Sequence, residues 1–109
     1  VSDDGIRVIT MGGELDLNRR SEIRETLRVD THGAPILVDL SHVTYADSSI
    51  LAELLRFSNE ASAHGVAVAL VIVARQFARL VQYAGLADAF TIYNSVDEAR
   101  SRLLAGTEK

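Results

Sequence analysis

Every residue from Val66 to Val73 is apolar, and the run is rich in valine. It is far shorter than the roughly 20 apolar residues that a membrane-spanning helix needs. A short, β-branched, uninterrupted run is the pattern of a central strand buried on both faces, as in a parallel sheet covered by helices. Parallel neighbours need long crossover connections, so helices are expected between the strands.

The rest of the chain supplies them. Ile6-Arg7-Val8-Ile9-Thr10-Met11 is β-branched and partly alternating, a strand by pattern. Asp3-Asp4-Gly5 before it reads as a hairpin turn, with Val1-Ser2 as the remnant of an earlier strand. Gly12-Gly13 ends or bulges the first strand. A helix is then expected from about Asn18 to Val29, with Asn18 as N-cap and Ile23 and Leu27 on one face. Ile36-Leu37-Val38-Asp39-Leu40 is a second strand, reached through the loop Thr31-His32-Gly33-Ala34-Pro35. After a turn at Asp47, Ile50, Leu54, Phe57 and Ala61 repeat at helical spacing, and His64-Gly65 is a C-terminal stop. Phe77, Leu80, Val81 and Ala84 describe a third helix, closed by Gly85 with Leu86 as its apolar partner. Phe90-Thr91-Ile92-Tyr93 is a short strand, and Ser95-Val96-Asp97-Glu98 is a capping box that opens a last helix with Val96, Ala99 and Leu103 inward. Strands and helices alternating in this way predict one α/β domain over residues 1–109, with a mixed, mostly parallel sheet of four to five strands and about four helices.

Composition narrows the function. Fifteen acidic residues against eleven basic ones leave a net charge of −4, and the arginines are scattered, so a direct nucleic-acid partner is not expected. The chain has no cysteine, which removes disulfides, thiolate metal sites and cysteine nucleophiles, and fits a cytoplasmic protein. No membrane partner, metal or cofactor is expected.

Catalytic motifs are thin. An α/β hydrolase places its nucleophile in Gly-x-Ser-x-Gly, whereas Ser48 and Ser49 are framed by Ala46-Asp47 and Ile50-Leu51. His32, His42 and His64 fall in loops or at a helix end without metal-ligand spacing. Gly12-Gly13 lacks the spaced glycines and the lysine of a phosphate-cradling loop. Asp39, near a strand end, invites comparison with a receiver aspartate, but the companion carboxylates and lysine are missing, and the only lysine is Lys109.

Asp47-Ser48-Ser49 is the remaining candidate. Small hydroxyl residues at a helix start meet unpaired N–H groups and the positive end of the helix dipole, so they serve as caps, as phosphorylation sites, or as both.

Gly13-Glu14-Leu15-Asp16 and the stretch Val38-Asp39-Leu40-Ser41-His42-Val43-Thr44-Tyr45-Ala46-Asp47-Ser48-Ser49 resemble, in order and spacing, the STAS family of bacterial anti-sigma factor antagonists. Arg75 to Phe90, with Leu80, Gly85 and Leu86, follows the same pattern. The resemblance implies a regulatory module without catalytic activity. It further implies that Ser49 (with Ser48 as the adjacent fallback) is phosphorylated by an anti-sigma factor that is also a serine kinase. Asp47, Ser48, Ser49 and Ile50 would form the partner surface. The unphosphorylated form would hold the anti-sigma factor and so free a sigma factor for transcription, phosphorylation would end the binding, and a serine phosphatase would restore it. In the family a glycine usually follows the phosphorylated serine. Here Ile50 either crowds the approach or turns inward to join Leu54 and Phe57. STAS domains that work without phosphorylation, as stressosome scaffolds, lipid-transport subunits or transporter domains, are the alternative the resemblance carries.

Overall fold

The computed structural model describes residues 5–29, 33–85 and 91–106. In chain order these form β1 (Arg7–Leu15), a 3-10 turn (Leu17–Arg19), α1 (Arg20–Thr26), β2 (Ile36–Ala46), α2 (Ser48–Ala63), β3 (Val68–Val71), α3 (Arg75–Tyr83), β4 (Ile92–Tyr93) and α4 (Val96–Gly106). The strands lie in the order β1-β2-β3-β4, and each of the three pairings is parallel. The expected antiparallel element, Val1-Ser2, lies outside the described residues, as do His32, Leu86 and Phe90.

Side-chain alternation decides which helix covers which face. Ile36, Val38 and Leu40 of β2 join Ile9, Met11 and Leu15 of β1 in one core, shared with Ile23 of α1, Ile50, Leu54, Phe57 and Ala61 of α2, and Phe77 and Val81 of α3. Leu37 points the other way and packs with Ile6, Ala69 and Val71 against Ala99 and Leu103 of α4. The sheet is thus covered on both sides. Successive right-handed crossovers moving in one direction keep α1, α2 and α3 on one face, and the chain reaches the other only after its last strand.

Several expected boundaries shift. Gly12-Gly13 does not end β1. The strand runs on to Leu15, and the register against β2 slips there twice, so the bulge reading is the right one. Gly13 sits at φ +76°, where a Cβ is strained. β2 also outruns its apolar run, continuing through His42 to Ala46, so His42 is an exposed strand residue and not a loop residue. Asp39 is correspondingly well inside the strand rather than near its end. Neighbour pairing extends a strand past its own propensity, which is why period alone stopped short. The first helix is shorter than expected. Asp16, not Asn18, caps the 3-10 turn through Asn18 N–H at 3.1 Å, and α1 ends at Thr26. The Val66–Val73 run is longer than its strand, with Val73 left 55% exposed. Ala84 is exposed rather than inward. Ser95 Oγ accepts the Glu98 N–H at 3.1 Å, as its capping role requires.

Candidate functional site

The start of α2 sits where β1 and β2 both end. Leu15 pairs with Ala46 in the last step of the β1–β2 ladder, and the Asp47 N–H donates to the Leu15 carbonyl at 3.0 Å. Asp47 is extended (φ −97°, ψ 175°) and caps α2: its Oδ1 accepts from the Ser49 N–H at 2.9 Å and also from the Ser49 hydroxyl. Its other oxygen, Oδ2, accepts from the Leu17 N–H at 3.1 Å. One carboxylate therefore joins the segment entering α1 to the first turn of α2. The Ser49 hydroxyl, and then the N–H groups of Ser49 and Leu17, hold the Asp47 carboxyl below its ordinary range against burial, which pushes it up.

The two serines differ. Ser48 is exposed, and its hydroxyl has no protein partner among the described residues. Ser49 is half-buried, with its hydroxyl directed to Asp47. Ile50 is buried in the core with Leu54 and Phe57, so of its two expected placements the inward one holds. Around this turn Leu17 is 62% and Tyr45 45% exposed, two large apolar side chains within two residues of Asp47 or its hydrogen-bond partner.

Two supports escaped the sequence reading. β3 stops opposite Asp39, and beyond that point no strand among the described residues pairs with the β3-facing edge of β2. At its end the Gln76 side chain of α3 takes a strand's place, accepting from Ala46 N–H at 3.0 Å and donating to Ala46 C=O at 2.7 Å. Deeper along α2, Glu53 is buried between the helices. Arg24 grips it with two bonds (Nε–Oε1 3.1 Å, Nη2–Oε2 2.9 Å), Arg20 Nε lies 3.0 Å from Oε2, and Arg56 Nε 3.2 Å from Oε1. Arg24 first, then Arg20 and Arg56, push the Glu53 carboxyl down to about 2 although burial opposes them. Glu53 lies three residues after the buried Ile50, and that position at the margin of the apolar stripe was its one sequence signal.

Asp39, Ser41 and His42 cluster on β2, but not as a nucleophile and its base. The Ser41 hydroxyl donates to Asp39 Oδ1 at 2.6 Å, so its proton is directed at the carboxylate and not at His42 Nδ1, 3.3 Å away. His64 ends α2 with Nδ1 2.9 Å from the Glu60 carbonyl. Among the described residues no group of three His, Asp or Glu side chains gathers to hold a metal, and no helix is long and apolar enough to cross a membrane.

The fold is shared with proteins of differing roles. The chain superposes on an anti-sigma factor antagonist from Mycobacterium paratuberculosis with TM-score 0.84 and 22% identity, covering 94% of this chain and 89% of that one. A sulfate transporter family protein from Wolinella succinogenes gives TM-score 0.80 at 15% identity over 100% and 93%. The murine Solute Carrier 26 family member A9 anion transporter gives 0.80 at 18% identity, over 93% of this chain and only 18% of the transporter. At such identities the likeness speaks for the fold alone. The family model described as STAS domain matches residues 1–99, nearly the whole of an α/β domain whose described residues form four parallel strands and four α-helices, and the chain accordingly belongs to the STAS domain family.

Proposed function

We propose that this protein is an anti-sigma factor antagonist whose binding to an anti-sigma factor with serine kinase activity is switched off by phosphorylation of Ser49. The observation that carries the reading is the Asp47-Ser48-Ser49 turn. It lies at the surface beside exposed Leu17 and Tyr45, and the Ile50 side chain is withdrawn into the core. A partner docking there meets two apolar side chains and neutral hydroxyls.

In the proposed switch, the kinase transfers the γ-phosphoryl group of ATP to Ser49 Oγ. The bond from phosphorus to the ADP oxygen breaks, the bond to Oγ forms, and the hydroxyl proton leaves to the kinase's base. The product carries about −1.5 to −2 charges at pH 7. Desolvating that charge against a surface fitted to a hydroxyl costs several kcal/mol, and each 1.4 kcal/mol is tenfold in affinity. A serine phosphatase reverses the change with water. The similarity in fold to the M. paratuberculosis antagonist supports this reading. The absence of a membrane-crossing helix among the described residues is compatible with the cytoplasmic setting it requires.

The half-burial of Ser49 and its hydroxyl bond to Asp47 favour a second reading, a STAS domain that docks partners through the same turn without being phosphorylated. Intact mass after incubation with candidate anti-sigma kinases and ATP separates the two. The first expects one added phosphate, lost in Ser49→Ala and kept in Ser48→Ala, with release of the bound partner. Stable partner binding with no mass change under any kinase condition would support the second.

A further inference from the structure

α1 and α2 are crossovers between successive parallel strands and so run in the same direction. Two hydrogen bonds set their alignment. Leu17 N–H to Asp47 Oδ2, 3.1 Å, joins their starts, and Arg56 Nη2 to the Leu27 carbonyl, 3.2 Å, joins them farther along. Arg20 comes three residues after Leu17, and Ser49 two after Asp47, so Arg20 stands level with the first turn of α2. Arg24 and Arg56 stand at the other end of the same cluster.

That cluster holds more positive charge than it uses. Three guanidiniums meet two carboxylates, since Arg56 also pairs with Glu60 at 3.2 Å. Glu53 retains two bonds from Arg24 and one from Arg56 if Arg20 leaves, so Arg20 is the member that can be released without orphaning a buried charge. Its side chain is 46% exposed and that of Arg24 56%, so it is the number of bonds left on Glu53, and not exposure, that singles Arg20 out. Arg19, its neighbour, is committed to the Gly12 and Glu14 carbonyls and to Glu22.

Ser49 lies four residues before Glu53, on the same side of α2, with Cβ atoms roughly 5–6 Å apart. We propose that Arg20 is the exchangeable partner of this site: when Ser49 carries a phosphate, Arg20 leaves Glu53 and pairs with it. The inference rests on the reading of Ser49 as the phosphorylated residue. Phosphorylation removes the hydroxyl donor that Asp47 Oδ1 accepts and sets a dianion against that carboxylate. A cation must enter for the turn to keep its shape, and Arg20, level with that turn, is the one that Glu53 can spare. The exchange leaves the domain folded and confines the effect of the phosphate to docking.

The test needs no kinase. Phosphoserine is placed at position 49 during translation, and its second ionisation is followed by ³¹P NMR in the wild-type sequence, Arg20→Gln, Arg24→Gln and Arg19→Gln. Pairing with a guanidinium favours the dianion, so the wild-type titration should lie at least about 0.5 pH unit below that of Arg20→Gln, while the Arg19 variant matches wild type and Arg24→Gln, which leaves Arg20 needed at Glu53, moves toward Arg20→Gln. The Arg20 Nε–Hε NMR signal should shift on phosphorylation in the unmutated protein, a readout independent of any variant's folding. An unchanged titration in Arg20→Gln, a static Arg20 signal, or an effect of Arg19→Gln in its place overturns the proposal. Failure of every kinase to modify Ser49 bears instead on the proposed function and leaves these outcomes readable.

Discussion

Asp47 Oδ2 accepts a hydrogen bond from the backbone N–H of Leu17, 30 residues earlier, at 3.1 Å, while Oδ1 of the same carboxylate caps α2 through Ser49. The residue that starts the second helix therefore also fixes the approach to the first. One carboxylate thus links the Ser49 hydroxyl to the backbone of the exposed Leu17.

Replacing Asp47 by alanine should cost about 1–2 kcal/mol, the loss of a helix cap with one further N–H bond. Urea unfolding at pH 7 measures it. Asp47→Asn keeps an acceptor for the cap and should lose less than half as much.

Gln76→Ala leaves both polar groups of the fully buried Ala46 unpaired, with an expected cost of about 1–3 kcal/mol. Gln76→Glu tests the mechanism more sharply. An ionised carboxylate accepts from Ala46 N–H but cannot donate to its carbonyl, so this near-isosteric change should also destabilise at neutral pH and recover part of the loss in acid.

The Glu53 carboxyl, ordinarily at 4.5, is held down to about 2 in the folded chain. A group whose folded pKa is depressed contributes stability above its unfolded pKa and loses it as pH falls toward the folded value. The urea midpoint should therefore drop between about pH 5 and pH 2, and Glu53→Gln should flatten that slope. At pH 7 the Gln variant should be less stable by about 1–3 kcal/mol, below the cost for a fully buried pair because the arginines are partly hydrated.

Gly13→Ala should cost about 1–2 kcal/mol, since φ +76° is a left-handed conformation that a Cβ resists. The nearest atom to that Cβ would be Arg19 Nη1 at 3.7 Å, ordinary contact, so the backbone rather than crowding would be responsible. Chemical denaturation beside the wild-type chain measures the difference.

Much of this was readable in the residues. The Val66–Val73 run announced a strand covered on both faces, and the helical spacing of Ile50, Leu54, Phe57 and Ala61 placed the face that α2 buries. The capping turn at Asp47 was local chemistry, since an Asx cap needs only the residues that follow it. Boundaries were less legible. His42 lies in a strand because β1 pairs with it, and no property of its own neighbours says so.

The sequence by itself determined the alternation of elements, their inward faces and the Asp47-Ser48-Ser49 turn, because each depends on side chains within a few residues of one another. Only the tertiary structure decided which way Ile50 points, that Gln76 completes the end of β2, that Leu17 shares the cap of α2, and that Glu53 gathers Arg20 and Arg24 from another helix. The last three join residues about 30 positions apart. A glutamate on a helix has the same local pattern whether it meets water or arginines, and packing two parallel crossovers side by side is what chooses between them.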